Sequence, residues 1–358
     1  MSLHFIHEFN PGRVIFAAGA RTQCAPELDR LGVARAIVLS TTQQADLAAE
    51  FARTIGSRAA IIYPGAAMHT PVEVTQSALE AARSVNADGI LSIGGGSTTG
   101  LGKAIALRTD LPQLVVPTTF AGSEMTPILG QTEAGIKTTL RSPKVLPETV
   151  IYDPDLVTTM PPSIAGPSGM NAIAHSVEAL YARDLSPISL FMAEESIRAL
   201  GSALPRAVKD NRDKTAWSEA LYGAWLAGIC LGTVGMALHH KICHTLGGTF
   251  NLDHAGIHCL MLPFTTAYNR SAAPDAMRRT AAALGDEDAP AALYDLMQRL
   301  GTHRSLRDFG LSESDLDLAA DLAVANPYWN PRPIEREGIR GMLQAAWEGR
   351  MAEVGSAA

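Results

Sequence analysis

The chain has 358 residues, 47% of them hydrophobic and 18% charged, which is enough apolar material for a sizeable core and a length suited to about two domains. Acidic residues outnumber basic ones, 36 to 29, for a net charge of −7, and no basic run is interleaved with aromatics. That balance argues against nucleic acid or an anionic membrane as the main partner, while leaving room for a local basic pocket that takes an anionic small molecule. Cys24, Cys230, Cys243 and Cys259 are scattered without a CxxC pair, as expected of free thiols in a reducing cytoplasm. The first residues, MSLHFIHEFNPG, lack a basic segment followed by an apolar run, so no secretory signal is expected.

Short β-branched runs occur at 13–17, 36–40, 59–63, 89–93 and 113–117, with helical patterns such as 43–54 and 71–86 between them. Apolar runs bounded by turn residues and separated by helices predict βαβ units with a parallel sheet. Residues 130–151 hold polar β-rich segments, KTTLR and ETVIY, which suggest a hairpin or edge strands. The Pro-rich stretch DPDLVTTMPPS (153–163) reads as a connection between domains. Beyond it the period becomes helical, over 169–183, 186–203, 214–231, 236–247, 255–267, 273–284, 289–300, 313–324 and 335–349. The expected architecture is an α/β, Rossmann-like parallel-sheet domain (1–160) followed by an all-α domain (161–358). Residues 220–238 are uncharged and long enough to span a bilayer. Their glycines and the lack of an orienting basic flank predict a buried helix instead. The C-terminal MAEVGSAA is expected to fray.

Two small-residue turns fall where a parallel sheet binds ligands, beyond the carboxyl ends of its strands. In ILSIGGGSTTGLGKAIAL a strand gives way to Gly94, Gly95 and Gly96, and a helix begins near Thr98. Amides at a helix N-terminus bind phosphate, glycine lets it approach, and Ser97 and Thr98 add hydroxyls. The turn VPTTFAGSEMTP contributes Thr118, Thr119, Gly122 and Ser123. After the second strand stand Ser40 and Thr41, with no carboxylate to repel a 2′-phosphate, so NADPH is expected to be accepted as well as NADH.

In the helical half, Asn171 and His175 share a face at i,i+4, as do His240 and His244 on another helix. His254 precedes a third. His239 points about 100° away from His240 and is expected to be structural.

GGGS at 94–97, the Asn171/His175 helix, HxxxH at 240–244 and HAG at 254–256 occur in order, and with them the chain resembles the iron-containing alcohol dehydrogenase superfamily over nearly its full length. The resemblance implies a dehydroquinate synthase-like fold and metal-ligand positions at Asn171, His175, His240 and His254. The superfamily has aspartate at the first of these. An asparagine amide is a much weaker ligand for a divalent cation. Three histidines can hold zinc with a water, but no metal is expected to be required here. Gly100 also stands where metal-dependent members have aspartate. PTTFAGSEMTPILGQTEAGIKTT, VLPETVIYDP, HHKICHTLGGTFNLDHA and NPYWNPRP resemble one branch, the maleylacetate reductases. That branch implies NADH- or NADPH-dependent reduction of maleylacetate, a small dicarboxylate, to 3-oxoadipate in bacterial breakdown of resorcinol, hydroxyquinol or chlorinated aromatics. It also implies a cytoplasmic homodimer.

Such a site must stabilise an enolate and hold two carboxylates. Hydrogen-bond donors can replace a Lewis acid for that purpose. His175, His240, His244 and His254, partly protonated, are the expected donors, with His244 first choice to polarise the carbonyl or relay the proton. A carboxylate at 171 would repel the dianion. Lys241 and Arg332 are candidate carboxylate clamps, and Phe250 and Tyr328 candidate pocket walls. The alternative is a metal-dependent alcohol or polyol dehydrogenase of the same superfamily.

Overall fold

The computed structural model describes residues 5–7, 10, 12–302, 305–325 and 328–351. The described residues up to Met160 form one compact unit; those from Pro161 onward, with 5–7, form another. The frayed end expected for the C-terminus lies, apart from Met351, outside the described residues.

The first unit contains strands β1 (Arg13–Phe16), β2 (Ala36–Leu39), β3 (Ala59–Tyr63), β4 (Gly89–Gly94), β5 (Gln113–Pro117), β6 (Ile128–Glu133), β7 (Ile136–Arg141) and β8 (Thr149–Tyr152). Its helices are α1 (Cys24–Arg30), α2 (Ala45–Ile55), α3 (Val72–Ser84), α4 (Gly96–Thr109) and the single turn α5 (Pro154–Val157). Six strands form a parallel sheet in the order β1-β8-β5-β4-β2-β3. Alternate side chains serve opposite faces. Val38, Leu91 and Leu114 pack with Leu28 and Phe51 on one side, and Ile37, Leu39 and Ile90 with Leu79, Leu101 and Ile105 on the other. Burial on both faces explains why these strands read as continuous apolar runs.

Two expectations are corrected here. ETVIY is no hairpin arm: its residues 149–152 are β8, inside the parallel sheet between β1 and β5. The hairpin is β6–β7, turned by Ala134 and Gly135, both at positive φ (49° and 79°), as a two-residue turn between twisted strands requires. Nor is DPDLVTTMPPS a plain connection. Buried Asp153 caps α5 through the Asp155 amide and also accepts from the amides of Gly19 (2.9 Å) and Arg21 (3.1 Å).

The second unit comprises α6 (Pro162–Leu180), α7 (Pro187–Lys209), α8 (Lys214–Thr233), α9 (Leu238–Phe250), α10 (His254–Asn269), α11 (Pro274–Leu284), α12 (Ala289–Arg299), α13 (Asp315–Ala325) and α14 (Arg336–Glu348). α6 starts seven residues before the periodic pattern at 169, because Pro162 sits at its first turn, where a missing N–H costs nothing. From Ala165 to Leu180 every residue of α6 is buried, so it is the central helix of the unit. Gly169 allows this packing: a Cβ there would lie 2.4 Å from the Leu204 methyls of α7. No single described helix is long and apolar enough to cross a membrane. α8 and α9 pass that test only as a pair bent by 95°. Most apolar residues of α8 are buried, as expected, but 220–238 is not one helix: α8 ends at Thr233 and α9 begins at Leu238.

Candidate active site

In the α/β unit, the carboxyl ends of β4 and β5 lie side by side, with Gly94 paired to Pro117. Gly94 has a φ of 151°, and a Cβ on it would strike Thr98 Oγ1 at 2.4 Å. Gly95 is the N-cap of α4 without a side-chain cap, and a Cβ on it would meet Thr119 Oγ1 at 2.8 Å. The helix therefore begins at Gly96, two residues before the expected start, and its first amides are uncapped by side chains. This is the arrangement that accepts a phosphate. The Thr118 amide donates to Gly94 O at 3.0 Å, joining the two turns. Gly122, at φ 77°, opens the short helical turn at Ser123. Thr98 Oγ1, Ser123 Oγ and Ser40 Oγ are buried with no hydrogen-bond partner, which suits hydroxyls that a polar ligand would engage. Thr41 occupies the N-cap position of the turn 42–44 that follows β2, without a side-chain cap bond. Gln44, unremarked in the sequence, donates from Nε2 to Thr118 Oγ1 at 2.8 Å and bridges the β2 and β5 turns.

Lys103, on α4, holds the second turn in shape. It is fully buried, and its Nζ donates to Ser123 O, Thr126 O (2.7 Å), Thr126 Oγ1 (3.0 Å) and Ile128 O (2.9 Å). Burial pulls its pKa down to about 7, opposed by the Glu124 carboxyl.

In the helical unit, α6, α9 and α10 gather the histidines. Asn171, His175 and Glu178 lie on one face of α6, at i, i+4 and i+7. The Glu178 carboxylate receives the amides of Ala237 (3.1 Å) and His239 (2.7 Å), and so anchors the N-terminus of α9. It also receives the Nδ1–H of His240 at 2.5 Å and the Tyr181 hydroxyl at 3.4 Å. With the proton on Nδ1, His240 turns the lone pair of Nε2 the other way, and that atom is buried without a partner. Asn171 Oδ1 and His175 Nδ1 are also buried and unpartnered. The His175 and His240 rings stack at 5.1 Å.

At the end of α9, Asn251 adopts the left-handed conformation (φ 52°), and Asp253 then caps α10 through the Gly256 amide. The reversal stacks His254 on His244, with ring centroids 5.9 Å apart. One turn along α10, His258 lies 4.3 Å from the His254 ring and 4.9 Å from those of His239 and His240. His239 does serve the interior, as expected: it bridges Thr265 Oγ1 and His258 Nδ1, each at 3.0 Å. Glu178 and His258 were not expected at the site. His258 carried a signal, since His254 and His258 repeat the i,i+4 spacing of His240 and His244.

One expectation about charge is corrected, for His175: burial first, then the neighbouring imidazoles, hold it well below the ordinary histidine pKa, so it is neutral at pH 7 rather than partly protonated. Burial also lowers His239 and His258, which were not among the expected donors. Burial likewise pushes the Cys243 thiol well above its usual value, with Glu178 adding to the shift.

Near the N-terminal end of α9, Lys241 Nζ lies 5.7 Å from the Tyr328 ring. The Tyr328 hydroxyl is buried without a partner, and burial followed by Glu178 raises its pKa. Arg332 is engaged by α10. Its guanidinium stacks 4.2 Å over Tyr268 and donates to Tyr268 O, while Asn330 bonds Asn269. Phe250 is the half-buried last residue of α9.

Neutral imidazole is the metal-binding form of histidine. Among the described residues, two groups bring ligand atoms within 4.8 Å of one another: His239/Cys243/His258 and His244/His254/His258. A metal-free site therefore gains no support from the geometry.

Comparison with known proteins agrees with this anatomy. A family model described as iron-containing alcohol dehydrogenase matches residues 11–154, and the C-terminal model of the same family matches 166–347. A maleylacetate reductase of Rhizobium sp. (strain MTP-10005) is 54% identical over 98% of this chain and 99% of its own. One from Burkholderia cepacia is 52% identical over 96% and 98%. The crystal structure of a maleylacetate reductase from Agrobacterium tumefaciens superposes with a TM-score of 0.94 at 54% identity, covering 97% of this chain and 99% of that one. The chain thus belongs to the iron-containing alcohol dehydrogenase family, within its maleylacetate reductase branch.

Proposed function

We propose that this protein reduces maleylacetate to 3-oxoadipate with NADH or NADPH. The observation that carries the reading is the likeness, above 50% identity and over nearly the whole of both chains, to maleylacetate reductases. The chemistry of the site supports it. Asn171 places a neutral amide where a carboxylate would face a dianionic substrate, and the Glu178 carboxylate, turned to the start of α9, is satisfied by four donors.

A reduced nicotinamide bound at the site would supply a hydride to the alkene carbon β to the ketone, and a proton donor would then be needed at the α carbon of the enolate. The Gly94–Ser97 turn and the Thr118–Ser123 turn hold the nucleotide phosphates and ribose, with Lys103 fixing the second turn. In the histidine cluster, His244 is the exposed imidazole and is the proposed partner of the enolate oxygen. Lys241, beside Tyr328, is the proposed contact for a substrate carboxylate. His244, His254 and His258 bring ligand atoms within 4.8 Å of one another and would hold a divalent cation, which would supply a Lewis acid. The same reading carries a cytoplasmic location, supported by four buried free cysteines, and a homodimer, which sedimentation would check.

The test is NADH consumption with maleylacetate, with the product identified by mass. Stoichiometric formation of 3-oxoadipate is expected. NAD+-dependent oxidation of an alcohol, with no NADH consumed on maleylacetate, would replace this reading with that of an alcohol dehydrogenase.

A further inference from the structure

We propose that Asn330 is a positioning residue for substrate binding: it ties the loop 328–333 to the start of α9 and so holds Tyr328 opposite Lys241. The inference rests on the reading of Lys241 as the contact for a substrate carboxylate.

An asparagine side chain has two donor hydrogens and two acceptor lone pairs. Asn330 uses all four. Its Oδ1 accepts from the Leu238 amide (3.4 Å) and from Asn269 Nδ2 (3.1 Å). Its Nδ2 donates to Asn269 Oδ1 and to Arg332 O, each at 2.7 Å. The two backbone partners fix which way the amide faces, since an N–H group needs its oxygen and a carbonyl needs its NH2. The orientation of Asn269, fully buried on α10, then follows from the reciprocal pair. Aspartate at 330 would set an oxygen against two acceptors, and leucine would leave every partner unserved.

The start of α9 has no side-chain cap of its own, and Ala237 stands at its N-cap. Three successive amides there are served from elsewhere in the chain: those of Ala237 and His239 by Glu178, and that of Leu238 by Asn330. Asn330 therefore shares with Glu178 the seating of the helix that carries Lys241. The loop has a second anchor on α10. Arg332 stacks 4.2 Å over the Tyr268 ring, and the Tyr268 hydroxyl donates to Pro333 O at 2.7 Å. Tyr328, two residues before Asn330, is thereby set with its ring 5.7 Å from Lys241 Nζ. A lysine is a point charge on a flexible stem, so a fixed aromatic wall beside it reduces the freedom lost when it meets an anion. The effect of Asn330 thus falls on substrate affinity, not on the nucleotide or the chemical step.

The test uses two variants of the full chain. Asn330→Leu is neutral and close in size. Asn330→Ala removes the amide without adding bulk, and serves if leucine disturbs folding. In each, KM for maleylacetate should rise about tenfold while kcat stays within about threefold and the Kd for NADH, by fluorescence titration, within about twofold. In a Lys241→Met background the same substitutions should move KM less than about twofold, because the group they position is gone. Hydrogen exchange, which needs no substrate, should quicken at residues 236–242 and 328–335. An unmoved KM in both variants, or a KM effect that simply adds to that of Lys241→Met, would overturn this inference alone. Equal losses of kcat and NADH binding would do the same, since they mark a general loosening of the fold. A wild type that leaves maleylacetate unreduced would overturn the reading of function, and this inference with it.

Discussion

His240 Nδ1 lies 2.5 Å from Glu178 Oε2, and both side chains are buried. Through this contact a carboxylate on α6 sets the tautomer of a histidine on α9, while its other bonds hold the start of that helix. Glu178→Gln keeps the shape but presents an N–H group to one of these donors. We expect a loss of about 2–4 kcal/mol in stability, from donors left unpaired in the core, and a fall in kcat of about 10–100-fold. Thermal melts and steady-state kinetics check the two separately.

The buried histidines set a pH limit. His175, His239 and His258 have folded pKa values below the unfolded one, near 6.5. Their contribution is complete above about pH 6.5 and is lost as pH falls toward the folded values, because unfolded rings take up protons that folded rings refuse. Each such proton steepens the loss by about 1.4 kcal/mol per pH unit. Melting temperatures of metal-free protein should drop sharply below about pH 6.5, and less sharply in His239→Phe. A flat profile would contradict the neutral cluster.

Lys103→Met removes the donor shared by Ser123, Thr126 and Ile128; Ser123 O keeps the Thr126 amide, while the Thr126 and Ile128 carbonyls lose a buried charged donor. The expected cost is about 2–5 kcal/mol. If the turn it holds binds the nucleotide, KM for NADH should rise more than kcat falls. An unchanged KM would separate this lysine from cofactor binding.

Gly94→Ala puts a Cβ at a φ of 151° and against Thr98 Oγ1 at 2.4 Å. About 1–3 kcal/mol of strain is expected, with weaker NADH binding by fluorescence titration. Thr98→Ala alone should leave the fold intact, since its hydroxyl has no partner.

Asn171→Asp changes charge at nearly constant shape. A carboxylate about 6 Å from a substrate carboxylate costs about 3 kcal/mol at an effective dielectric of 20. We expect kcat/KM for maleylacetate to fall about 10–100-fold, with the melting temperature little changed. Undiminished activity would show that charge at 171 does not govern substrate choice.

Most helices and the first five strands were legible because each keeps one period and ends at turn residues. β8 was misread because its polar flanks resemble an edge, and sheet order follows from packing between segments far apart in sequence. The glycine turn was legible from strand–turn–helix context, but Gln44 was not, since nothing local aims it at Thr118. Asn171, His175, His240, His244 and His254 were legible from helical spacing. Glu178 passed as an ordinary helix glutamate because its partners lie some sixty residues away in sequence. The lowered pKa values of His175, His239 and His258 are a property of burial, which spacing alone does not reveal.

Because every residue of α6 from Ala165 to Leu180 is enclosed, that helix can neither rotate nor slide without dismantling its unit. Its backbone resists drift, so the cheapest route to new chemistry is exchange of single side chains at positions such as 171, whose amide oxygen is buried without a hydrogen-bond partner. A lineage built on this helix can exchange amide for carboxylate in one step and move between reaction types while its architecture stays unchanged.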